Sequence, residues 1–260
     1  MKKILLGAFA ALVAVGFTSC KDDDTKVYYS YGTVQEKVSG EDLKIRKDAG
    51  AYLTVKGTTA GLKTGDRVIV SYEVVGKFTE GGDNTVKLWS YPYEILTKDI
   101  RLKSVIDGDE AEDTKLGNDG FVDMAAWYGG EYLNLDFRML FGRGQSKPHF
   151  INLVADDAYE GNTMTVVLRH NAEGAVPGGS HVLYPVDGIV SFRLVDLFAE
   201  LEIAEADYPE HINVKWEKYE NSGDPETVTQ TIPLGKFKPW TVGGKEPKKA
   251  DIVRTSAEVE

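Results

Sequence analysis

The chain has 260 residues, 41 of them acidic and 30 basic, and its formal net charge is −11. Such a surface repels phosphate backbones, which are bound through neutralisation by Lys and Arg, so the composition argues against nucleic acid as a partner. Cys20 is the only cysteine, which excludes an internal disulfide, and the 42% of hydrophobic residues must hold the core by burial alone. The length suits one large or two ordinary β domains.

Residues 1–19 have the three parts of a secretory signal: Lys2 and Lys3, the uncharged run from Ile4 to Phe17, and small residues before Cys20. The run is shorter than the roughly 20 apolar residues that a membrane-spanning helix needs. Phe17-Thr18-Ser19-Cys20 resembles a bacterial lipobox, although Leu is usual at the position of Phe17. The resemblance implies acyl chains on Cys20 that hold the protein on a membrane. The alternative is an ordinary signal peptide with a stray thiol.

Residues 20–26 form an acidic tether that begins Cys20-Lys21-Asp22-Asp23-Asp24. The acidic run is similar to the export signals of Bacteroidetes lipoproteins, and this implies an outer-membrane protein exposed at the cell surface. A solvated tether on the periplasmic face is the alternative.

Residues 27–115 are predicted to form a small barrel of the oligonucleotide- and oligosaccharide-binding (OB) type. Aromatic and β-branched residues open it at Val27 to Val34, and Asp48-Ala49-Gly50 turns a hairpin between two short alternating segments. Arg67 to Val75 is the longest predicted strand, and Gly81 to Asn84 turns the chain into a strand from Val86 to Leu96. Five short strands without helical periodicity indicate this barrel type.

Trp89, Tyr91 and Tyr93 alternate in the last of these segments, so they are predicted to project from one face. Pro92 lies between them and lacks the amide proton that a central strand needs, which indicates an edge strand. The row could stack on sugar rings or on a partner strand. The interpretation that we favour from the sequence is that the row fills the barrel core.

Asp107 to Asp113 is a dense acidic segment that we expect to be a solvated loop linking two domains. Clustered oxygens suit a hard cation, which makes Asp107, Asp109 and Asp113 a calcium candidate. The order of an EF-hand fails, however, because no Gly stands at its sixth position and Asn118 replaces the Glu at its twelfth.

Residues 116–235 are predicted to form an antiparallel β-sandwich. In Glu131 to Met139 the apolar residues alternate with Asn134, Asp136 and Arg138, which we expect to face outward. Gly142 to Gln145 is predicted to turn a hairpin into the strand His149 to Val154. Val195 to Asp207 fits either a strand or a helix, and a last hairpin ends near Ile232. Residues 236–260 are expected to be a charged tail. The fold class is therefore all-β.

Several segments together resemble the NigD-like lipoproteins of Bacteroidetes. They are the lipobox with its acidic follower, the strand entry Gly65 to Tyr72, the strand Tyr132 to Arg138, and His149 to Val154. The resemblance implies an N-terminal OB domain followed by a C-terminal β-sandwich. It implies no activity and no catalytic residue.

No residue set indicates catalysis or a cofactor. His149, His170, His181 and His211 lack metal-ligand spacing, although folding could still bring them together. The chain has no Gly-x-Ser-x-Gly elbow and, with Cys20 acylated, no free thiol. Glycoside hydrolysis needs two carboxylates about 5 to 9 Å apart. The acidic residues available for this are Asp123, Glu131, Asp136, Asp156 and Asp157.

The sequence therefore favours a lipid-anchored envelope protein that is not an enzyme and that binds a glycan or another envelope protein. A polysaccharide hydrolase and a purely structural lipoprotein are the alternatives.

Overall fold

The structure is a computed structural model that describes residues 26–38, 42–57, 61–159, 161–220 and 224–235. The signal, Cys20, the acidic run after it and the expected tail lie outside the described residues. The chain divides into two compact units after Glu94. The boundary that we expected near residue 115 thus falls inside the second unit, because two short strands after Glu94 pair with strands of that unit.

The first unit is a closed barrel with one additional short strand. Its strands are β1 (Tyr28–Val38), β2 (Asp42–Lys47), β3 (Tyr52–Val55), β4 (Arg67–Val74), β5 (Asn84–Leu88) and β6 (Tyr93–Glu94). The order β1-β2-β3-β5-β4 closes because β1 also pairs with β4, and β6 pairs with β4 beyond the end of β5. The predicted OB-type barrel is confirmed.

The barrel core follows from alternation along β4. Val68, Val70 and Tyr72 are buried and pack against the other inward side chains of the barrel. Ile69 and Ser71 alternate with them and therefore belong to the outer face. The outer face of β4 is central to the candidate site described below.

One charged pair is built into the barrel wall. Arg67 is fully buried, and its two terminal nitrogens each donate to one carboxylate oxygen of Asp48 at 2.5 Å. A buried guanidinium needs such a partner because an unpaired buried charge is strongly destabilising. Asp48, which the sequence placed in a hairpin turn, therefore also neutralises the start of β4.

The second unit is a sandwich of two sheets. Its strands are β7 (Leu96–Lys98), β8 (Arg101–Leu102), β9 (Asp123–Gly129), β10 (Tyr132–Gly142), β11 (Phe150–Ala155), β12 (Thr163–Asn171), β13 (Leu183–Arg193), β14 (His211–Tyr219) and β15 (Pro225–Pro233). One sheet has the order β7-β13-β10-β9 and the other β15-β14-β12-β11-β8. The predicted sandwich is confirmed, and the strand pairs β7–β13, β8–β11 and β12–β14 are parallel.

The sandwich core contains the residues that alternation in β10 predicted to face inward: Leu133, Leu135, Phe137 and Met139. Asn134 differs from the prediction because its side chain is buried, where it accepts a hydrogen bond from Ser191 Oγ at 2.7 Å. The periodicity correctly placed Asn134 on the face of β10 opposite to Leu133 and Leu135. It could not show that the Asn134 side chain on that face is buried.

The segment Gly142 to Gln145 does not turn the predicted hairpin. β10 and β11 belong to different sheets, so this segment crosses from one sheet to the other. A Cβ atom at Gly142 would lie 2.8 Å from Cγ of His181, so glycine permits the close approach of that loop. Flanking strands alone do not distinguish a hairpin from such a crossover.

Short helices occupy two segments whose structure the sequence left open or assigned to a loop. They are α1 (Lys103–Ile106), just before the expected acidic loop, α2 (Glu110–Leu116), which begins inside that loop, and α3 (Leu194–Glu200), at the ambiguous segment. Asp109 caps α2 by accepting from the backbone N–H groups of Ala111 and Glu112. In the described part of the chain, none of the helices has the length and apolar character that crossing a bilayer requires.

The outer edge of β9 is protected by a side chain of β15. Gln230 Nε2 donates to the carbonyl of Ala126 at 3.0 Å, and the Ala126 N–H donates to Gln230 Oε1 at 3.1 Å. One amide side chain thus satisfies both backbone groups that Ala126 presents at this edge. Such protection matters because exposed sheet edges favour pairing with other chains.

Candidate functional site

The candidate site is an aromatic surface on the outside of the barrel. In the pairing register, Tyr29 of β1 lies opposite Ser71 of β4, and the backbone N–H of Trp89 donates to the Ser71 carbonyl at 2.8 Å. Two residues along β4, Ile69 is paired with Tyr93 of β6. Cross-strand partners share a face of a sheet, so Tyr29 and Tyr93 lie on the outer face with Ile69 and Ser71.

Four aromatic side chains of this region are exposed to solvent. Tyr29, Trp89, Tyr91 and Tyr93 have between 61% and 67% of their surface accessible, and we call these four residues the aromatic face. The interpretation that Trp89, Tyr91 and Tyr93 fill the barrel core is therefore wrong. Leu88 packs on the core instead, and alternation then turns Trp89 outward.

The aromatic residues do not lie on one continuous strand as the spacing predicted. β5 ends at Leu88, and β6 contains only Tyr93 and Glu94. Pro92 in the intervening segment is buried and cannot donate a backbone hydrogen bond. The segment is held to β4 by the backbone hydrogen bond of Trp89 and by a side-chain contact, since Ser90 Oγ lies 2.6 Å from Ser71 Oγ.

Tyr91 is positioned against a neighbouring loop. A Cβ atom at Gly61 would lie 2.8 Å from the Tyr91 hydroxyl oxygen, which shows how closely this side chain approaches the loop backbone. Gly61 also has a φ of +100°, a conformation that L residues rarely adopt. Substitution of Gly61 would therefore disturb the position of Tyr91.

Tyr29 is the member of the aromatic face that the sequence argument missed. The alternation in Tyr28-Tyr29-Ser30-Tyr31 was sufficient to place Tyr29 and Tyr31 together on one side of β1. The missing information was that β1 closes the barrel against β4, because this long-range pairing places Tyr29 across Ser71 from Trp89.

The aromatic face differs from the surface that OB folds commonly use. That surface is the outer face of the second and third strands with the adjoining loops. Here Lys44 and Arg46 occupy outward positions of β2, opposite Thr54 and Tyr52 of β3. The aromatic side chains lie instead around β4 and the residues that follow β5.

Two of the four histidines come together in the sandwich core. His149 Nδ1 lies 2.9 Å from His170 Nε2, and both side chains are buried. Phe141 stacks on His149, and Phe121 stacks on His170, with ring centroids 4.7 Å apart in each pair. The sequence spacing gave no sign of this pair, which arises because His149 precedes β11 and its antiparallel partner β12 ends beside it.

The hydrogen bonds of Gln145 fix the direction of the protons in this pair. Gln145 Nε2 donates to the carbonyl of Ala172 at 3.0 Å, so its Oε1 must accept from Nε2 of His149 at 3.2 Å. His149 Nδ1 is then the acceptor for the N–H of His170. Burial lowers the pKa of His149 to about 4, and burial together with His149 lowers the pKa of His170 to about 3. The pair is therefore neutral near pH 7, and its hydrogen bonds indicate a structural role.

The five carboxylates considered for hydrolysis occupy different surroundings. Glu131 is buried and pairs with Arg193 at 3.1 Å. Asp157 accepts from the backbone N–H of Ser104 at 2.8 Å. Asp123 and Asp136 occupy exposed positions on β9 and β10, and burial followed by the charge of Asp187 raises the pKa of Asp136. Asp156 lies just after β11.

The three residues of the calcium candidate are each used locally. Asp109 caps α2, Asp107 pairs with Lys103 at 2.6 Å, and Asp113 pairs with Arg169 at 3.0 Å. Across the residues that the structure describes, no three acidic, histidine or cysteine side chains come together as metal ligands.

Comparison with known proteins identifies the second unit. Residues 104–230 match the family described as NigD-like C-terminal beta sandwich domain. Comparison with curated proteins gives no match.

Solved structures with a similar fold include three from Bacteroides species. A NigD-like immunity protein from Bacteroides caccae has a TM-score of 0.54 at 20% identity, over 80% of this chain and 94% of that chain. A candidate lipoprotein from Bacteroides fragilis has a TM-score of 0.59 at 12% identity, over 80% and 97%. A protein of unknown function from Bacteroides vulgatus has a TM-score of 0.56 at 19% identity, over 83% and 96%. At these identities the likeness shows a common fold.

Proposed function

This chain belongs to the NigD-like family through its C-terminal sandwich, and from that membership we propose a lipid-anchored envelope protein that binds another envelope protein through the aromatic face. The anchor would be formed by acyl chains on Cys20, and the acidic run after it would direct the protein to the cell surface. The candidate lipoprotein among the proteins of similar fold supports the anchor.

The exposure of the aromatic face is the observation that carries the proposal. Aromatic side chains have about 150–250 Å² of surface each, so four that are mostly exposed present on the order of 500 Å². This is about the size of the largest apolar patch on a typical monomer, and such patches are often functional. A purely structural role would not require Trp89 and three tyrosines to be exposed to solvent.

A protein partner fits this surface better than a small ligand. Trp and Tyr are the residues that most often dominate protein interfaces, because they supply large, stiff contact areas with polar tips. Small-molecule sites are concave and bury most of the ligand. The aromatic face lies on the outer wall of a closed barrel, around Ile69 and Ser71. The fold relative described as an immunity protein also supports a function that depends on a protein partner.

The proposal does not include catalysis. The three proteins of similar fold named above are described as a NigD-like immunity protein, a lipoprotein and a protein of unknown function, and none of these descriptions names an enzymatic activity. A hydrolase would need two carboxylates facing each other across a cleft. Asp123 and Asp136 instead occupy exposed positions of one sheet, beside the ion pair of Arg138 and Asp187.

The test compares complexes extracted from cells that produce the chain. Envelopes are dissolved in mild detergent, and the protein is located by antibody after size-exclusion chromatography. We expect the wild type to elute as a larger complex and the double variant Trp89→Ser, Tyr93→Ser to elute as the isolated chain. Val105→Ser, which changes an exposed apolar side chain of the second unit, serves as the control.

The same experiment distinguishes the kind of partner. Protease digestion of the partner material should abolish the larger complex, whereas periodate oxidation of glycans should leave it intact. Equal elution of wild type and double variant would overturn the proposal. A complex that resists protease and disappears with periodate would identify a glycan partner and overturn the choice of a protein.

A further inference from the structure

A shallow depression with a volume of about 460 Å³ lies at one end of the sandwich. It is lined by Arg143, Gly144, Val182, Leu183 and Tyr184. These residues lie where β10 and β13 end as a pair, with Gly142 opposite Leu183 and the Arg143 N–H donating to the Val182 carbonyl at 2.8 Å. The residues that line the depression are therefore joined by backbone hydrogen bonds, and all of them belong to the second unit.

Arg143 differs from the other arginines of the sandwich. Arg101, Arg138, Arg169 and Arg193 each pair with a carboxylate. Within the described ranges Arg143 has no ion pair, and its side chain is exposed at the rim of the depression. In a chain with a net charge of −11, a guanidinium without an internal carboxylate is available for an external one.

The walls beside Arg143 are apolar and exposed. Val182 has 69% of its surface accessible and Tyr184 has 45%. Neither side chain contributes to the core clusters of the sandwich. Arg143 together with Val182 and Tyr184 thus presents one positive charge between an aliphatic and an aromatic surface.

Tyr184 is backed by a continuous row of rings. Its ring centroid lies 5.9 Å from that of Phe141, which stacks on His149, and the row continues through His170 to Phe121 in the core. A side chain supported in this way loses little freedom when a ligand binds, which favours affinity.

We propose that this depression is a second binding site, which takes an acidic side chain of an extended peptide segment together with an adjacent apolar side chain. Arg143 would bind the carboxylate through two parallel N–H donors, and Val182 and Tyr184 would cover the apolar neighbour. The volume exceeds what one carboxylate fills and lies in the range of ligand sites. The site lies at the paired ends of β10 and β13, and a position at the end of a strand pair suits a strand-like peptide better than a compact ion.

Binding is measured on the full chain by NMR, with the backbone amides of Gly144 and Val182 as reporters. The probe is a capped peptide with one Asp between two Leu residues, and the comparison probes are the same peptide with Asn and sodium acetate. We expect saturable shifts with the Asp peptide and at least tenfold weaker binding of the Asn peptide and of acetate. Raising the salt concentration should weaken the binding of the Asp peptide.

Variants separate this site from the aromatic face. Arg143→Gln should reduce affinity for the Asp peptide about tenfold, as expected for the loss of a charge-assisted hydrogen bond. Tyr184→Ser should also reduce it. Arg138→Gln is the matched control, because this exposed arginine of β10 is already paired with Asp187, and it should bind like the wild type. The Trp89→Ser, Tyr93→Ser variant should bind the peptide normally.

Three results would overturn the inference. They are an Asn peptide that binds as well as the Asp peptide, an Arg143→Gln variant with unchanged affinity, and no saturable shift with either peptide. An acetate response equal to that of the Asp peptide would show an anion site without peptide recognition, which also contradicts the proposal. None of these results would bear on the proposed function of the aromatic face.

Discussion

Tyr29 and Trp89 flank Ser71 from opposite sides of β4, one through the strand register and the other through a hydrogen bond of 2.8 Å to the Ser71 carbonyl. The two residues are 60 positions apart in sequence. Ser71 lies between them only because β1 closes the barrel against β4. The aromatic face is therefore a product of barrel closure, and disrupting the barrel should remove it.

The buried pair of Arg67 and Asp48 supports that closure. We expect Asp48→Asn to lower the free energy of unfolding of the barrel by about 3 kcal/mol, because the buried guanidinium of Arg67 loses a charged partner. Urea unfolding measures the change. Asp42→Asn is the control, because Asp42 pairs with Lys56 at the exposed surface and should contribute less than about 1 kcal/mol. Equal effects of the two substitutions would contradict the role of Asp48.

The histidine pair should make the sandwich sensitive to acid. Burial lowers the pKa of His149 to about 4 and that of His170 to about 3, from an ordinary value near 6.5. Below pH 6.5 the unfolded chain binds protons that the folded chain does not. The stabilisation is thus complete above pH 6.5 and is lost as the pH falls towards 4.

Each histidine should contribute a slope of about 1.4 kcal/mol per pH unit in this window. Urea unfolding of the sandwich at several pH values measures the slope. In the double variant His149→Gln, His170→Gln this part of the slope should disappear, even if the variant is less stable at pH 7. An unchanged slope would show that other groups govern the acid sensitivity.

Gln230 should protect the edge of β9. Replacement by Leu leaves the N–H and carbonyl of Ala126 without their partner, and we expect a loss of about 1–3 kcal/mol in the free energy of unfolding. Hydrogen exchange of the Ala126 amide should become faster at the same time. Thr229→Leu, at an exposed neighbouring position of the same strand, should leave this exchange rate unchanged. Exchange that is equally slow in both variants would argue against the protection.

Local alternation was enough to predict most strands and the inward residues of β10. Leu133 and Leu135 alternate with polar residues, and this pattern within Glu131 to Met139 was enough to predict that they face the core. Alternation could not predict that β10 and β11 belong to different sheets, because a crossover and a hairpin use the same kinds of connecting residues. Composition likewise could not show that part of the acidic segment is helical, with Asp109 as the cap of α2.

The candidate site was predicted in part. Trp89, Tyr91 and Tyr93 were recognised from their spacing, but spacing alone cannot tell the inside of a barrel from its outside. The deciding information is that Leu88 packs on the core, which turns the following residue outward. The pairing of His149 with His170 could not be predicted at all, because it depends on the register of β11 and β12.

Because its side chains are mostly exposed, we predict that the aromatic face contributes little to the free energy of unfolding. Trp89→Ser should change the free energy of unfolding by less than about 0.5 kcal/mol, because the side chain is mostly in water. Thermal and urea unfolding measure this change. A loss of several kcal/mol would mean that Trp89 is part of the core and would remove the basis of the proposed function.

Photocrosslinking on living cells tests the central claim most directly. A photoreactive benzoylphenylalanine is placed at position 89 on the aromatic face or at position 44 on the outer side of β2, where Lys44 is exposed. We predict a discrete protein adduct from position 89 and none from position 44. An adduct from position 44 alone, or no adduct from position 89, would contradict the account.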